Sequence, residues 1–250
     1  MKRKNFFMSV ILGATLLSSC GNKETSSTSS KKEDKVATDS ARINGIPCDI
    51  KLSGIHFTKA VNGADTLVSI DNKEKIEFRV GEKKDYFCDP NSQLSNNTAP
   101  ILLTKVDNTK PFTFTAKVAP QFTETGLYNA GVLYIYVNDN FWQKFCFEQD
   151  ERGNHRMVTV RTIGTSDDNN HDIINIPWAY MKISSDTRTV GSYYSLDNKE
   201  WHMVRLYKNN YPEEIWLGIS AQCPMEKGSV TNFEEISLKQ NSVSDFRMGN

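Results

Sequence analysis

Apolar residues recur along this chain at period two, in short runs broken by Asn, Asp, Gly and Pro, and no window holds a sustained 3.6-residue apolar stripe. Twelve such runs read as strands: residues 66–70, 75–80, 101–105, 112–118, 132–137, 141–148, 157–163, 179–184, 189–194, 201–207, 215–220 and 231–238. So many short runs, with frequent turn signals between them, predict an all-β fold of two packed antiparallel sheets. Asn138-Asp139-Asn140 and Asp197-Asn198 have hairpin-tip chemistry, because Asn and Asp tolerate positive φ. Residues 43–250 fit a single domain, since sandwiches of about 200–250 residues commonly form one unit.

The alternation also assigns faces. Leu133, Ile135 and Val137 form a core set and leave Tyr134 and Tyr136 opposite. In the next run Phe145 and Phe147 turn inward, with Trp142, Lys144, Cys146 and Glu148 opposite. In the third, Val158 and Val160 turn inward, with Met157, Thr159 and Arg161 opposite. Met181 and Ile183 likewise turn Tyr180 and Lys182 away from the core. Neighbouring strands lie about 4.8 Å apart, so Tyr134, Tyr136, Trp142, Lys144, Glu148, Arg161 and Lys182 are expected to form one patch. Sugars present apolar C–H faces and a rim of hydroxyls. Rings stack on the former and charged groups bond the latter, so the expected ligand is a carbohydrate. The competing expectation is that a second layer or long loop covers this face, with Lys144 and Glu148 a solvated pair of small energetic value.

Polar segments change the picture at the N-terminus. Lys2, Arg3 and Lys4 precede an apolar stretch, residues 6–17, that ends in Leu17-Ser18-Ser19-Cys20. This pattern predicts a signal peptide over residues 1–19. Leu-Ser-Ser-Cys resembles the lipobox of bacterial lipoproteins, which implies a diacylglycerol on Cys20 and an acylated amine. Several acyl chains anchor stably where one does not. Gly21, where an aspartate would imply inner-membrane retention, points to the outer membrane. Residues 20–42 read as the lipidated cysteine and a flexible tether, too polar to offset its own ordering entropy. The expected location is therefore a lipid-anchored protein of the bacterial outer membrane, facing the periplasm or the cell surface.

Removing residues 1–19 leaves 27 basic and 30 acidic side chains. That balance argues against a nucleic-acid partner, which needs a basic footprint. Cys48, Cys88, Cys146 and Cys223 remain in the domain; export permits disulfides, but four cysteines allow three pairings and sequence does not choose among them. His56, His155, His171 and His202 are scattered, and no catalytic or phosphate-cradling motif is present. Asp168, Asn170 and Asp172 have the alternate spacing of a calcium loop, but Ile173 and Ala179 stand where an EF-hand needs Gly and Glu. No cofactor is expected, and calcium stays open only through another loop geometry.

The run Gly81-Glu-Lys-Lys-Asp85-Tyr-Phe-Cys-Asp89-Pro90, then Asn97-Thr-Ala99-Pro100, Ala130-Gly131-Val132-Leu133, Trp142-Gln-Lys144 with Glu148, and Ser195-Leu-Asp197-Asn-Lys-Glu-Trp201 with Cys223-Pro224, resembles the family called domain of unknown function 1349. The family includes proteins related to the yeast regulator of enolase. The resemblance implies a concanavalin A-like jelly-roll β-sandwich, with Trp142, Lys144 and Glu148 on its concave face. Many members of that superfamily bind or cleave polysaccharides. Tyr180-Met181-Lys182 departs from a Trp-Leu-Arg pattern, replacing a guanidinium fork with a point charge. The catalytic alternative is a laminarinase-like glycoside hydrolase using Glu148. Its Glu-x-Asp start at Glu148 and Asp150 then breaks, with Arg152 and Gly153 where the last glutamate belongs. Glu148 and Asp150 lie about 6.7 Å apart by strand rise, within the range of glycosidase carboxylate pairs. A non-catalytic carbohydrate binder is the leading expectation, and a cell-envelope protein-interaction module the other alternative.

Overall fold

The computed structural model describes residues 44–72 and 74–250. The signal peptide, Cys20 and the tether lie outside the described residues. The first strands are β1 (Ile46–Lys51), β2 (His56–Val61), β3 (Val68–Asp71), β4 (Lys75–Gly81), β5 (Tyr86–Cys88) and β6 (Ser95–Asn97). There follow β7 (Ile101–Asp107), β8 (Phe112–Pro120), β9 (Ala130–Asn138), β10 (Phe141–Gln149), β11 (His155–Ile163) and β12 (Thr165–Ile173). The last five are β13 (Ala179–Ser185), β14 (Thr189–Ser195), β15 (His202–Lys208), β16 (Glu214–Gln222) and β17 (Gly228–Lys239). Eight strands form one antiparallel sheet in the order β1-β2-β7-β16-β9-β10-β11-β12, and seven form a second, β15-β14-β13-β8-β17-β4-β3. This is the expected jelly-roll sandwich, and each of the twelve runs overlaps a strand, although Thr66 of the first run ends a short 3-10 helix, Ala64–Thr66.

Alternation builds the core. Every second residue of β8 is buried, and Phe114, Ala116 and Val118 meet Leu133 and Ile135 of β9, Phe145 and Phe147 of β10 and Leu217 of β16 in one cluster. Full burial of such side chains stabilises by roughly 1.5–3 kcal/mol each. Gly131 of β9 lies against Val118 and Thr231 of the second sheet. A Cβ there would stand 2.4 Å from Val118 Cγ1 and 2.5 Å from Thr231 Cγ2, so only glycine fits.

All nine residues of β10 are buried, which one-sided packing cannot achieve. The outer face of the eight-stranded sheet carries a second apolar cluster, including Tyr134, Tyr136, Trp142, Val158, Val160 and Trp216. Residues 84–99, with the β5–β6 hairpin, fold across it: the Lys84 and Cys223 backbones exchange hydrogen bonds of 3.1 and 2.9 Å, and Cys88 N–H donates to Ser166 Oγ at 2.9 Å. The covering loop was the competing expectation, and it holds over the aromatic half of the face.

Two differences from the sequence reading follow. Val160 pairs with Lys144 and Val158 with Cys146, so β11 presents its valines to the outer face and Met157 to the main core, the reverse of the expected assignment. A strand lying between two apolar layers carries apolar residues on both sides, so alternation does not say which side is the core. Secondly, Asp168, Asn170 and Asp172 belong to an edge strand, β12, rather than a loop. Its polar sequence carries no apolar strand signal, as suits an edge that must not recruit another chain.

Candidate functional site

Register brings five of the seven expected residues to one face. Trp142 pairs with Tyr136, Lys144 with Tyr134, and Glu148 with Ala130, which in turn faces Gln222 of β16. The other two stand elsewhere. Arg161 shares the rung of Gln143, faces the inter-sheet side and lies 4.7 Å from the Tyr207 ring centroid. Its displacement follows from the reversed face of β11. Lys182 belongs to the other sheet, where its ammonium sits 3.6 Å from the Trp201 ring centroid and donates to the Gly249 carbonyl at 2.7 Å; burial lowers it to about 8.

The face has an aromatic half and a polar half. In the aromatic half Tyr86 stands edge-on to Trp142, Tyr134 and Tyr136, with ring centroids 5.7, 6.1 and 6.2 Å away. Asp139, in the β9–β10 turn, accepts from Tyr86 and Tyr136 hydroxyls at 3.0 and 2.6 Å, and its carbonyl accepts from the Trp142 indole at 3.1 Å. Tyr134 and Tyr136 are fully buried and Trp142 is 1% exposed. These rings are therefore a packed layer rather than an open stacking platform.

The polar half is a hydrogen-bonded cluster, nearly all of it buried. Lys144 Nζ pairs with Asp85 Oδ1 at 2.9 Å and donates to Gln222 Oε1 at 3.2 Å. Gln222 Nε2 donates to Glu148 Oε2 at 3.1 Å and to the Tyr128 carbonyl at 3.2 Å. Burial alone would lower the Lys144 ammonium, but the opposing acids, Asp85 first, outweigh it and hold the ammonium above its ordinary range. For Glu148 burial wins over Lys144, and with Asp85, Asp168 and Asp150 it pushes the carboxyl up to about 8. Asp168 keeps an exposed flank, yet its carboxyl is also raised, first by desolvation. Glu148, at 7%, is more exposed than Lys144 at 3% or Gln222 at 1%. Beside it Tyr128 is 38% exposed and holds φ at 61°, a left-handed conformation unusual for a bulky residue. Its hydroxyl is pushed up by burial and then by Glu151, Glu148 and Asp168, the acids around it. The Tyr134 hydroxyl, buried beside Lys144, has no hydrogen-bond partner among the described residues.

Asp150 does not join this cluster. It accepts from the Arg152 and Asn154 backbones at 2.8 Å each and pairs with Arg156 at 2.7 Å. Burial pushes its carboxyl up, but those donors prevail and hold it at about 2. It is the anchor of the β10–β11 turn, tied to Arg156 and the turn backbone. Among the described residues no group of three His, Cys, Asp or Glu is placed to hold a metal, and Cys48, Cys88, Cys146 and Cys223 are free thiols. Asp85, Gln222 and Tyr128 went unread as site residues. Asp85 and Gln222 lie 59 and 78 positions from Lys144, and nothing local signals such contacts.

Among solved structures, the chain is similar to a functionally unknown protein from Saccharomyces cerevisiae, at 20% identity over 74% of this chain and 96% of that one, with a TM-score of 0.66. It is also similar to the GH43 BlXynB protein from Bacillus licheniformis (13% identity, 74% of this chain and 36% of that one, TM-score 0.56). A third is a Bacteroides ovatus protein described as xyloglucan PUL GH43B (11%, 79% and 39%, TM-score 0.56). The chain thus spans well under half the length of those two hydrolases, and at such identities the likeness is one of fold. No curated protein matches the sequence. The family described as Protein of unknown function (DUF1349) matches residues 64–241, most of the chain, and this protein belongs to it.

Proposed function

We propose that this protein is a lipid-anchored outer-membrane protein whose β-sandwich binds carbohydrate without cleaving it, at the mouth formed by Glu148, Gln222, Lys144, Asp85 and Tyr128. The observation that carries the reading is the buried Asp85–Lys144–Gln222–Glu148 chain beside the exposed Tyr128 ring. An aromatic ring next to a fixed set of donors and acceptors suits a polyhydroxyl ligand. The fold of the similar GH43 proteins is compatible with this reading, and the tied-down Asp150 favours binding over hydrolysis. The test is retardation of the full chain in gels containing neutral polysaccharides, with reducing ends assayed in parallel. Tyr128→Ala and Glu148→Ala are expected to remove retardation while leaving the fold intact by circular dichroism, with no sugar released by any variant. Release abolished by Glu148→Gln would instead establish a hydrolase. The Leu17–Cys20 pattern supports the anchor; Cys20→Ser is expected to shift the protein from the membrane to the soluble fraction.

A further inference from the structure

Gln222 is a one-way connector. Its Oε1 accepts from the Lys144 ammonium, which only donates, and its Nε2 donates to the Tyr128 carbonyl, which only accepts. Two such partners fix the amide orientation without ambiguity. The remaining Nε2 hydrogen points at Glu148 Oε2, 3.1 Å away, so that oxygen must be an acceptor. A proton on Glu148 therefore resides on Oε1, which takes no hydrogen bond from any described residue.

The charges around Glu148 favour that proton. Lys144, on the same strand, is the near cation and is committed to Asp85 of the covering segment at 2.9 Å. Arg156 of β11 is committed to Asp150 at 2.7 Å. Lys144 still favours the anion, but burial outweighs it, and Asp85, Asp168 of β12 and Asp150 oppose a second negative charge. Cys146, whose thiol burial pushes far above its ordinary range, and the Tyr134 and Tyr128 hydroxyls are neutral neighbours.

We infer that Glu148 meets the ligand as a neutral carboxylic acid, its proton directed outward from Oε1 by Gln222, and that the mouth selects glycans offering an uncharged acceptor oxygen over uronates or sulfates. This rests on the carbohydrate reading given above. A neutral donor bonds a ring or glycosidic ether oxygen, while an anionic group entering the same mouth meets Asp168 and Asp85. Raising the pH through the Glu148 transition removes the donor and adds a repelling charge, so binding falls.

The test has two readouts on the full chain. Carbon-13 NMR of glutamate-labelled protein is expected to show one carboxyl resonance, absent from Glu148→Gln, that titrates near 8. Gln222→Leu, which removes the donor to the anion, is expected to move that midpoint higher. Gel retardation by laminarin and arabinoxylan, as neutral probes, is compared with polygalacturonate. Retardation by a neutral probe is expected to weaken about tenfold across the Glu148 titration, a change of about 1.4 kcal/mol. Glu148→Gln is expected to bind more weakly, but without that pH dependence. A Glu148 midpoint in the ordinary glutamate range, or a preference for polygalacturonate, overturns the inference and leaves carbohydrate binding standing. No retardation by any probe, with Glu148 still titrating near 8, overturns the carbohydrate reading and the ligand half of the inference with it.

Discussion

Lys144 and Glu148 share one face of one strand, yet burial acts on them with opposite results. Lysine finds Asp85 at 2.9 Å and stays charged, whereas the nearest cation to Glu148 is already engaged. The consequence for stability has a definite sign. The folded-state carboxyl of Glu148, at about 8, lies above its ordinary 4.5, so ionisation costs more in the folded chain. Stability is full below the unfolded value, declines as pH rises between the two, and levels off above the folded one. Urea midpoints measured on either side of that window should fall in the wild type and fall less in Glu148→Gln; parallel declines would contradict the shift. Asp150 behaves in the opposite sense. Held at about 2 against an ordinary 3.8, it adds stability above 3.8 that is lost as acid takes the pH toward 2. Asp150→Asn should cost roughly 2 kcal/mol at neutral pH, read by the same denaturation. The shared face of Tyr134, Tyr136, Trp142, Lys144 and Glu148 was legible from alternation alone. Arg161 was misplaced because Val158 and Val160 serve a second apolar layer that a linear pattern does not distinguish from the first.

The covering segment decides how much of that face is exposed. Tyr86 fills the space among Tyr134, Tyr136 and Trp142, so Trp142→Ala is a core truncation and should cost about 3–5 kcal/mol in urea unfolding. Tyr86→Ala should cost about 3 kcal/mol. It should also let acrylamide quench a tryptophan shielded in the wild type, an increase that Trp142→Phe removes. Unchanged quenching would mean the neighbouring rings close over the gap. β5 and β6 have three residues each and no period to read, and β12 is polar up to its last residue, Ile173, which is why these elements were invisible in the sequence. Their position is set by distant partners such as Asp139 and Ser166.

At the scale of the molecule, the sandwich was legible because apolar alternation survives wherever one side of a sheet meets the core. The strand order was not, since β17 lies between β8 and β4, far from either in sequence. At Gly131 the side chains of the second sheet leave no room for a Cβ, and the consequence is mechanical. Any side chain at this position is a wedge driven between β9 and the Val118–Thr231 pair. The rest of β9 carries Tyr134 and Tyr136 on its far side, so the thrust is delivered to the floor of the mouth from behind. A substitution at Gly131 would thus disturb the Tyr134 and Tyr136 layer without touching it, by altering the thickness of the protein beneath.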